Sequence, residues 1–244
     1  MTIDLESLIE LLGFGDKGWG SYLILAALMT LAVTLAALVI GAVLGSLVAW
    51  AKLSRSLPAR IAGDAYVTVF RGVPELLIIY LFYFGGSTVV SGIGSLAGVP
   101  GLGIPSFLAG ALGVGFICGA YQSEVYRGAF LAVSRGEIEA SRAIGMGMML
   151  RFRRIIAPQV LRFALPGLGN VWQLSLKDSA LVSVTGLVEI MRASDVAGRS
   201  THSYFLFYVV GGALYLVLTS LSNRFFDRAE AHFGKSMRRS VGRA

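Results

Sequence analysis

The sequence predicts an all-α membrane protein with five transmembrane helices, an outside N-terminus and an inside C-terminus. Three observations carry this. Only 14% of the residues are charged and 55% are hydrophobic, where a soluble domain has roughly 25% charged residues; the chain lacks the charges to cover a water-facing surface. Its apolar residues gather in runs long enough to cross a bilayer, for which a helix needs about 20. Its lysines and arginines fall on alternate loops, matching the Lys/Arg excess of cytoplasmic loops. The same composition excludes a disordered chain, which needs low hydrophobicity. Cys118 is the one cysteine, excluding an intrachain disulfide and a cysteine-rich metal site.

The first span is the charge-free stretch 18–51, framed by Trp19 and Trp50 and then by Lys17 and Lys52. Tryptophan at both edges fits the two interfacial belts. The stretch is no signal peptide, being far longer than an h-region and preceded by Asp4, Glu6, Glu10 and Asp16. Residues 76–123 are free of charge for 48 positions, too many for one span. Seven glycines from Gly85 to Gly103, with Pro100 and Pro105, divide the run into two helices joined by a loop. Spans two and three are then about 61–85 and 106–126. Span four, 163–188, is interrupted only by Lys177 and Asp178. The fifth, 200–223, is charge-free and opens on Tyr204, Phe205, Phe207 and Tyr208, an aromatic belt.

Residues 52–60 hold three Lys/Arg, 127–162 seven and 224–244 six, while the opposite side holds Lys17, Arg192 and Arg199. Five spans put sixteen of the 21 on one side. The net charge of +7 therefore reports topology, and no nucleic-acid partner is expected.

The polar segment 134–160 joins spans three and four. Ser134 and Glu137 have capping-box spacing, which predicts a helix from 135. Ile138, Ala140, Ala143 and Ile144 give it an apolar face, and Gly145 suits a left-handed helix end. A second short helix is expected from about Met148 to Ile156, stopping near Pro158, which cannot continue the hydrogen-bond ladder. From the residues alone this is either a solvated connecting hairpin or a docking knob.

Glu139-Ala140-Ser141, then Gly145 six residues after Glu139, then Ile156-Ala157-Pro158 resembles the EAA loop of ABC importer permeases. Ser141 stands where that family usually has alanine, and Ala157 where it often has leucine. Phe70-Arg71-Gly72-Val73-Pro74, Tyr126-Arg127-Gly128-Ala129-Phe130, Ala164-Leu165-Pro166-Gly167-Leu168-Gly169-Asn170 and Lys177-Asp178-Ser179-Ala180-Leu181-Val182-Ser183 resemble polar amino-acid uptake permeases. Within these the chain is most similar to the Q-type subunit of histidine, lysine/arginine and opine (octopine, nopaline) importers, from about residue 20 to 235. The resemblance implies a single transmembrane domain over 1–244, with a membrane core at about 18–226 and a basic cytoplasmic tail at 227–244. It implies a multi-pass protein of the bacterial inner membrane with a periplasmic N-terminus. Glu139, Ala140, Ser141, Gly145 and Pro158 would belong to the cytoplasmic coupling helices. The implied partners are a second, M-type permease, two ATPase subunits docking on 134–160, a periplasmic substrate-binding protein and the lipid bilayer. ATP and magnesium would bind in the ATPases. This chain carries no Gly-x-x-x-x-Gly-Lys-Ser/Thr loop, and no cofactor is expected in it.

Ionisable residues inside spans are costly and point to a cavity or an ion pair. Arg71 and Glu75 lie four apart in predicted span two, with Asp64 upstream, and can pair on one helical face. Gln122, Glu124 and Arg127 near the end of span three read as side chains snorkelling to the interface. In span four, Asn170, Gln173 and Lys177 share a helical face, with Trp172, Asp178 and Ser179 beside them. That stripe is either a wall for a zwitterion pathway or polar glue between helices. Asp178 suits an ammonium or guanidinium group, and Asn170 and Gln173 offer neutral hydrogen bonds. In related permeases for basic amino acids, the resemblance implies acidic substrate contacts at the positions of Val171 and Asp178; this chain keeps the second. Segment 187–203 reads as a short amphipathic helix on the outer face, and His202 there has no partner with metal-ligand spacing.

Two other function classes are weaker. An ion-coupled secondary transporter usually has more spans and internal repeats. An intramembrane enzyme would need a motif such as Gly-x-Ser-x-Gly, His-Glu-x-x-His or paired intramembrane aspartates, and none occurs. A permease for another polar amino acid such as glutamine is the nearer alternative.

Overall fold

A computed structural model describes residues 10–15, 18–99 and 101–241, with side chains to residue 233. All regular structure among the described residues is helical. We number the helices α1 (Gly20–Leu53), α2 (Leu57–Gly72), α3 (Glu75–Leu96), α4 (Ser106–Leu131), α5 (Arg135–Ala143), α6 (Met148–Arg151), α7 (Ala157–Asp178), α8 (Ile190–Thr201) and α9 (Tyr204–Val241). Residues Leu81–Gly85 within α3 form a π turn, and so do Phe152–Ile156 between α6 and α7. A 3-10 segment, Ser179–Thr185, continues α7.

Among the described residues, four stretches have the length and composition to cross a membrane: Gly20–Leu53, Glu75–Leu96, Ser106–Leu131 and Tyr204–Phe233. α7, which carries most of expected span four, is not among them; it holds Arg162, Lys177 and Asp178 as well as several amides. α1 exposes Leu25, Leu28, Leu35, Val39, Val43, Leu47 and Trp50, the surface of a helix whose solvent is lipid. Trp50 keeps the interfacial exposure its position suggests. Trp19 instead packs edge-on against Phe207 at 6.1 Å.

Span two lies elsewhere than expected. Val73 precedes Pro74 and is forced out of the helical region, to φ −92° and ψ 138°. The helix of 57–72 ends there, and a new one starts at Glu75 and runs through Gly85, Gly86, Gly92 and Gly94 to Leu96. Glycine is frequent inside membrane helices, and here it does not break one. Arg71 and Glu75 therefore sit on two helices, and i,i+4 pairing does not apply. Pro158 also fails to stop a helix: the π turn before it shifts the hydrogen-bond ladder, so proline enters as the second residue of α7.

The chain divides into two units. The first comprises the described residues of Met1–Ala37, Glu75–Val114 and Ser175–Thr219. It has one core of Leu23, Ala26, Ala193, Ala197 and Phe207 and another of Val33, Ala37, Ile79, Val114 and Val182. Gly110 admits Val182: a Cβ there would lie 2.3 Å from its Cγ1. The second unit comprises Leu38–Pro74, Gly115–Leu174 and the described residues of Ser220–Ala244. In it α1 and α4 approach through Gly41, Gly45 and Gly119, the close backbone contact that small residues permit in membranes. Gln122 is fully buried and donates to the Leu38 carbonyl at 3.2 Å.

Candidate functional site

Asp178 stands where α7 changes to the 3-10 segment, which Gly186 ends with a left-handed φ of 87°. A seven-residue 3-10 run is long for its kind, so neighbours must hold it. The Ser106 hydroxyl donates to the Thr185 carbonyl at 2.8 Å at its far end. The first turns of α3 pack against it, and Glu75 opens that helix. The Asp178 carboxylate is half-buried. Among its charged neighbours are Glu75, which repels it, and Lys177, which attracts it but turns to the exposed side. Carboxylates on two elements that pack together suit a cationic group.

The other expected substrate residues have other partners. Gln173 Nε2 donates to Asn223 Oδ1 of α9 at 2.6 Å, which is the interhelical glue considered above. The Trp172 ring lies 6.4 Å from Phe226; its indole N–H is buried and meets no acceptor among the described residues. Ser179 is fully buried and donates to the Leu176 carbonyl at 2.7 Å. Asn170 is exposed. The Arg71 guanidinium sits 4.9 Å over the Tyr121 ring, a cation–π contact. Thus Asp178, Glu75 and Ser179 belong to the first unit, and Asn170, Trp172, Gln173 and Arg71 to the second.

Glu124 and Arg127 are part of an ion-pair network. Arg127 pairs with Glu124 at 2.7 Å, and Lys52 bonds both Glu124 and Asp64, the latter at 2.8 Å. Four charges from α1, α2 and α4 thereby neutralise one another.

The first helix of the 134–160 segment has the expected ends. α5 starts after Ser134, and Gly145 adopts φ +78°. Its N–H donates to the Arg142 carbonyl at 2.9 Å, and Met146 N–H to the Ser141 carbonyl at 3.0 Å. The capping box itself does not close: Ser134 makes no side-chain cap bond, and Glu137 accepts from Gln159 instead. Ala140, Ser141, Ile144, Arg154 and Pro158 line a cavity of about 350 Å³. Ile144, Met148, Met149 and Phe152 are exposed beside it, Met148 at 81%. Glu139 also lies exposed on α5.

Sequence reasoning missed Glu189. It is fully buried just past expected span four and caps α8 by accepting from the N–H groups of Met191 and Arg192, each at 2.8 Å. Burial pushes its carboxyl above the usual range, against the pull of these bonds and one from Tyr215. A lone acid between apolar Val188 and Ile190 was the available signal. His202 takes the left-handed position that ends α8, φ 55°. No group of His, Cys, Asp or Glu among the described residues is placed to hold a metal.

Comparison with known proteins agrees with this architecture. Residues 41–235 match the family described as binding-protein-dependent transport system inner membrane component. The octopine transport system permease protein OccQ of Rhizobium meliloti is 53% identical over 96% of this chain and 99% of its own. The histidine/lysine/arginine/ornithine transport system permease protein HisQ of Escherichia coli is 37% identical over 91% and 98%. A crystal structure of an amino acid ABC transporter with histidines superposes with a TM-score of 0.77 at 31% identity, covering 95% of this chain and 100% of that one. The all-helical fold, the membrane-crossing helices and these matches together establish that the chain belongs to the binding-protein-dependent transport system inner membrane component family and is a multi-pass inner-membrane permease, a transport component rather than an enzyme.

Proposed function

We propose that this chain is the permease subunit of an ATP-driven importer that carries a basic or amphoteric amino acid, or an opine, into the bacterial cytoplasm. The half-buried Asp178 carboxylate at the α-to-3-10 junction, on a segment packed by the helix that Glu75 opens, carries the reading. An ionisable residue inside a membrane protein marks a pathway or needs a partner, and an ammonium or guanidinium group of a substrate is such a partner. Resemblance to the octopine and histidine/lysine/arginine/ornithine permeases supports the same substrate class.

The chain acts as one transmembrane domain of five spans, with α7 and the 3-10 segment as the fourth. α5, α6 and the turn around Gly145 form the coupling surface for two ATPase subunits, which bind ATP and magnesium. A second, M-type permease completes the pathway, and a periplasmic binding protein delivers the substrate. The exposed apolar patch of Ile144, Met148, Met149 and Phe152 supports this docking.

Asp178→Asn is expected to weaken uptake of the cationic compound that the wild type carries among L-arginine, L-histidine and octopine. A charge-assisted hydrogen bond is worth roughly 1.5–3 kcal/mol, so uptake at limiting substrate falls about ten- to a hundredfold. Co-purification with the ATPases stays intact. Normal transport by the variant, or loss of the complex, would make Asp178 structural and sink the reading.

Orientation has its own test. In a Cys118-free protein, a cysteine placed in the 227–244 tail is expected to resist a membrane-impermeant thiol reagent in intact cells, while one in 97–103 reacts. A tail labelled from outside excludes five spans with a cytoplasmic C-terminus.

A further inference from the structure

A buried polar knot in the first unit joins four elements. Thr30 of α1, Ser179 of the 3-10 segment and Glu189 are fully buried, and Tyr215 of α9 is half-buried. The Tyr215 hydroxyl donates to Glu189 Oε2 at 3.0 Å and also meets the hydroxyls of Ser179 and Thr30. The Ile190 N–H donates to Thr30 Oγ1 at 3.2 Å. The Thr30 hydroxyl in turn reaches the Ala26 carbonyl at 3.0 Å.

A helix start needs only one short polar side chain, and an exposed serine or asparagine supplies it at little cost. A fully buried glutamate is an expensive way to cap α8, because every unmet lone pair is penalised. What the glutamate adds is reach. Its second oxygen takes the Tyr215 hydroxyl, and that hydroxyl touches Ser179, the residue after Asp178. The 3-10 segment is thus packed against α8, with Tyr215 beside its first residue, and is tied at its far end by Ser106. The path from α8 to the Asp178 backbone runs through the Glu189–Tyr215 hydrogen bond and through the packing of α8 against the 3-10 segment, whose first residue is Ser179.

We propose that Glu189 and Tyr215 are positioning residues that fix the direction of the Asp178 carboxylate and bind the substrate-facing turn to α8 as one piece. The proposal rests on the reading of Asp178 as the substrate contact. Neither residue touches substrate; both act by holding the first residue of the 3-10 segment. Their loss leaves the carboxylate present but free to rotate away from the cation.

The test uses the complete transporter with both ATPases and its binding protein in proteoliposomes, and the same cationic probe as above. Tyr215→Phe removes the hydroxyl and leaves the Glu189 cap intact, so folding is preserved where Glu189→Gln can fail. The half-saturating concentration of loaded binding protein is expected to rise roughly five- to tenfold, with the maximal rate little changed and the complex still monodisperse. Tyr215→Phe combined with Asp178→Asn is expected to be no worse than Asp178→Asn alone, because the two act on one contact. Glu189→Gln, where it assembles, should fall in the same non-additive class. A silent Tyr215→Phe, or losses that multiply in the double variant, overturns the proposal while leaving the substrate reading standing. An inert Asp178→Asn overturns both.

Discussion

Gly45→Leu is expected to abolish the folded permease. A Cβ at Gly45 would lie 2.9 Å from Gln122 Cβ and 3.0 Å from both the Gly119 carbonyl oxygen and the Ser123 amide nitrogen. Two of these three are backbone atoms of α4 and cannot swing away. α1 and α4 would have to separate, pulling Gln122 from the Leu38 carbonyl it meets at 3.2 Å. Overpacking of a tight contact costs about 3 kcal/mol or more, and lipid supplies no hydrophobic drive to restore the pair. Detergent-solubilised, fluorescently tagged protein should show a monodisperse peak below about a tenth of wild type. Gly128→Leu, on the same α4 but with nothing within 4 Å of its Cβ, should keep its peak. A Gly45→Leu variant with normal yield and thermal midpoint would show that the α1–α4 approach does not hold the fold.

The second large effect is opposite in kind: Gly145→Trp should leave the permease folded and stop transport. Nothing lies within 4 Å of a Cβ at Gly145, so the substitution meets no clash. Its left-handed backbone, φ +78°, costs a non-glycine residue about 1–2 kcal/mol, which a folded membrane protein tolerates. The indole would instead stand on the surface beside Ile144 and Met148, where ATPase docking is proposed. Uptake should fall more than about tenfold, with the two permeases still associated. The ATPases should either leave the complex or hydrolyse ATP without uptake. Gly145→Ala separates the causes, since it carries the backbone strain without the bulk. Full uptake by Gly145→Trp with intact ATPase association would remove Gly145 from the coupling surface.

Local chemistry made part of this molecule legible in its sequence. The start of α5 after Ser134 and the glycine at its end follow from side chains and φ preferences within a few residues. Charge-free runs located α1, α4 and α9 for the same reason. The expected bounds of span two fail because proline breaks a helix more strongly than glycine does: Pro74 acts on Val73, whereas Gly85, Gly86, Gly92 and Gly94 pass inside α3. Asp178 and Glu75 were each visible as charges among apolar residues. Their proximity was not, since it depends on the first turns of α3 packing on a 3-10 segment a hundred residues away. Glu189 and Tyr215 stayed hidden because their roles arise only from burial and from each other.

The π turn Phe152–Ile156 has a mechanical meaning. Such a turn holds one residue more than an α-helix would use over the same rise, and each residue of a helix is about 100° of rotation. Rewinding that turn to α geometry would spin α6, with Met148 and Met149 on it, through that angle about the axis of α7. The azimuth at which the apolar knob faces out of the membrane domain is thus stored as a single residue of slack between Arg151 and Ala157.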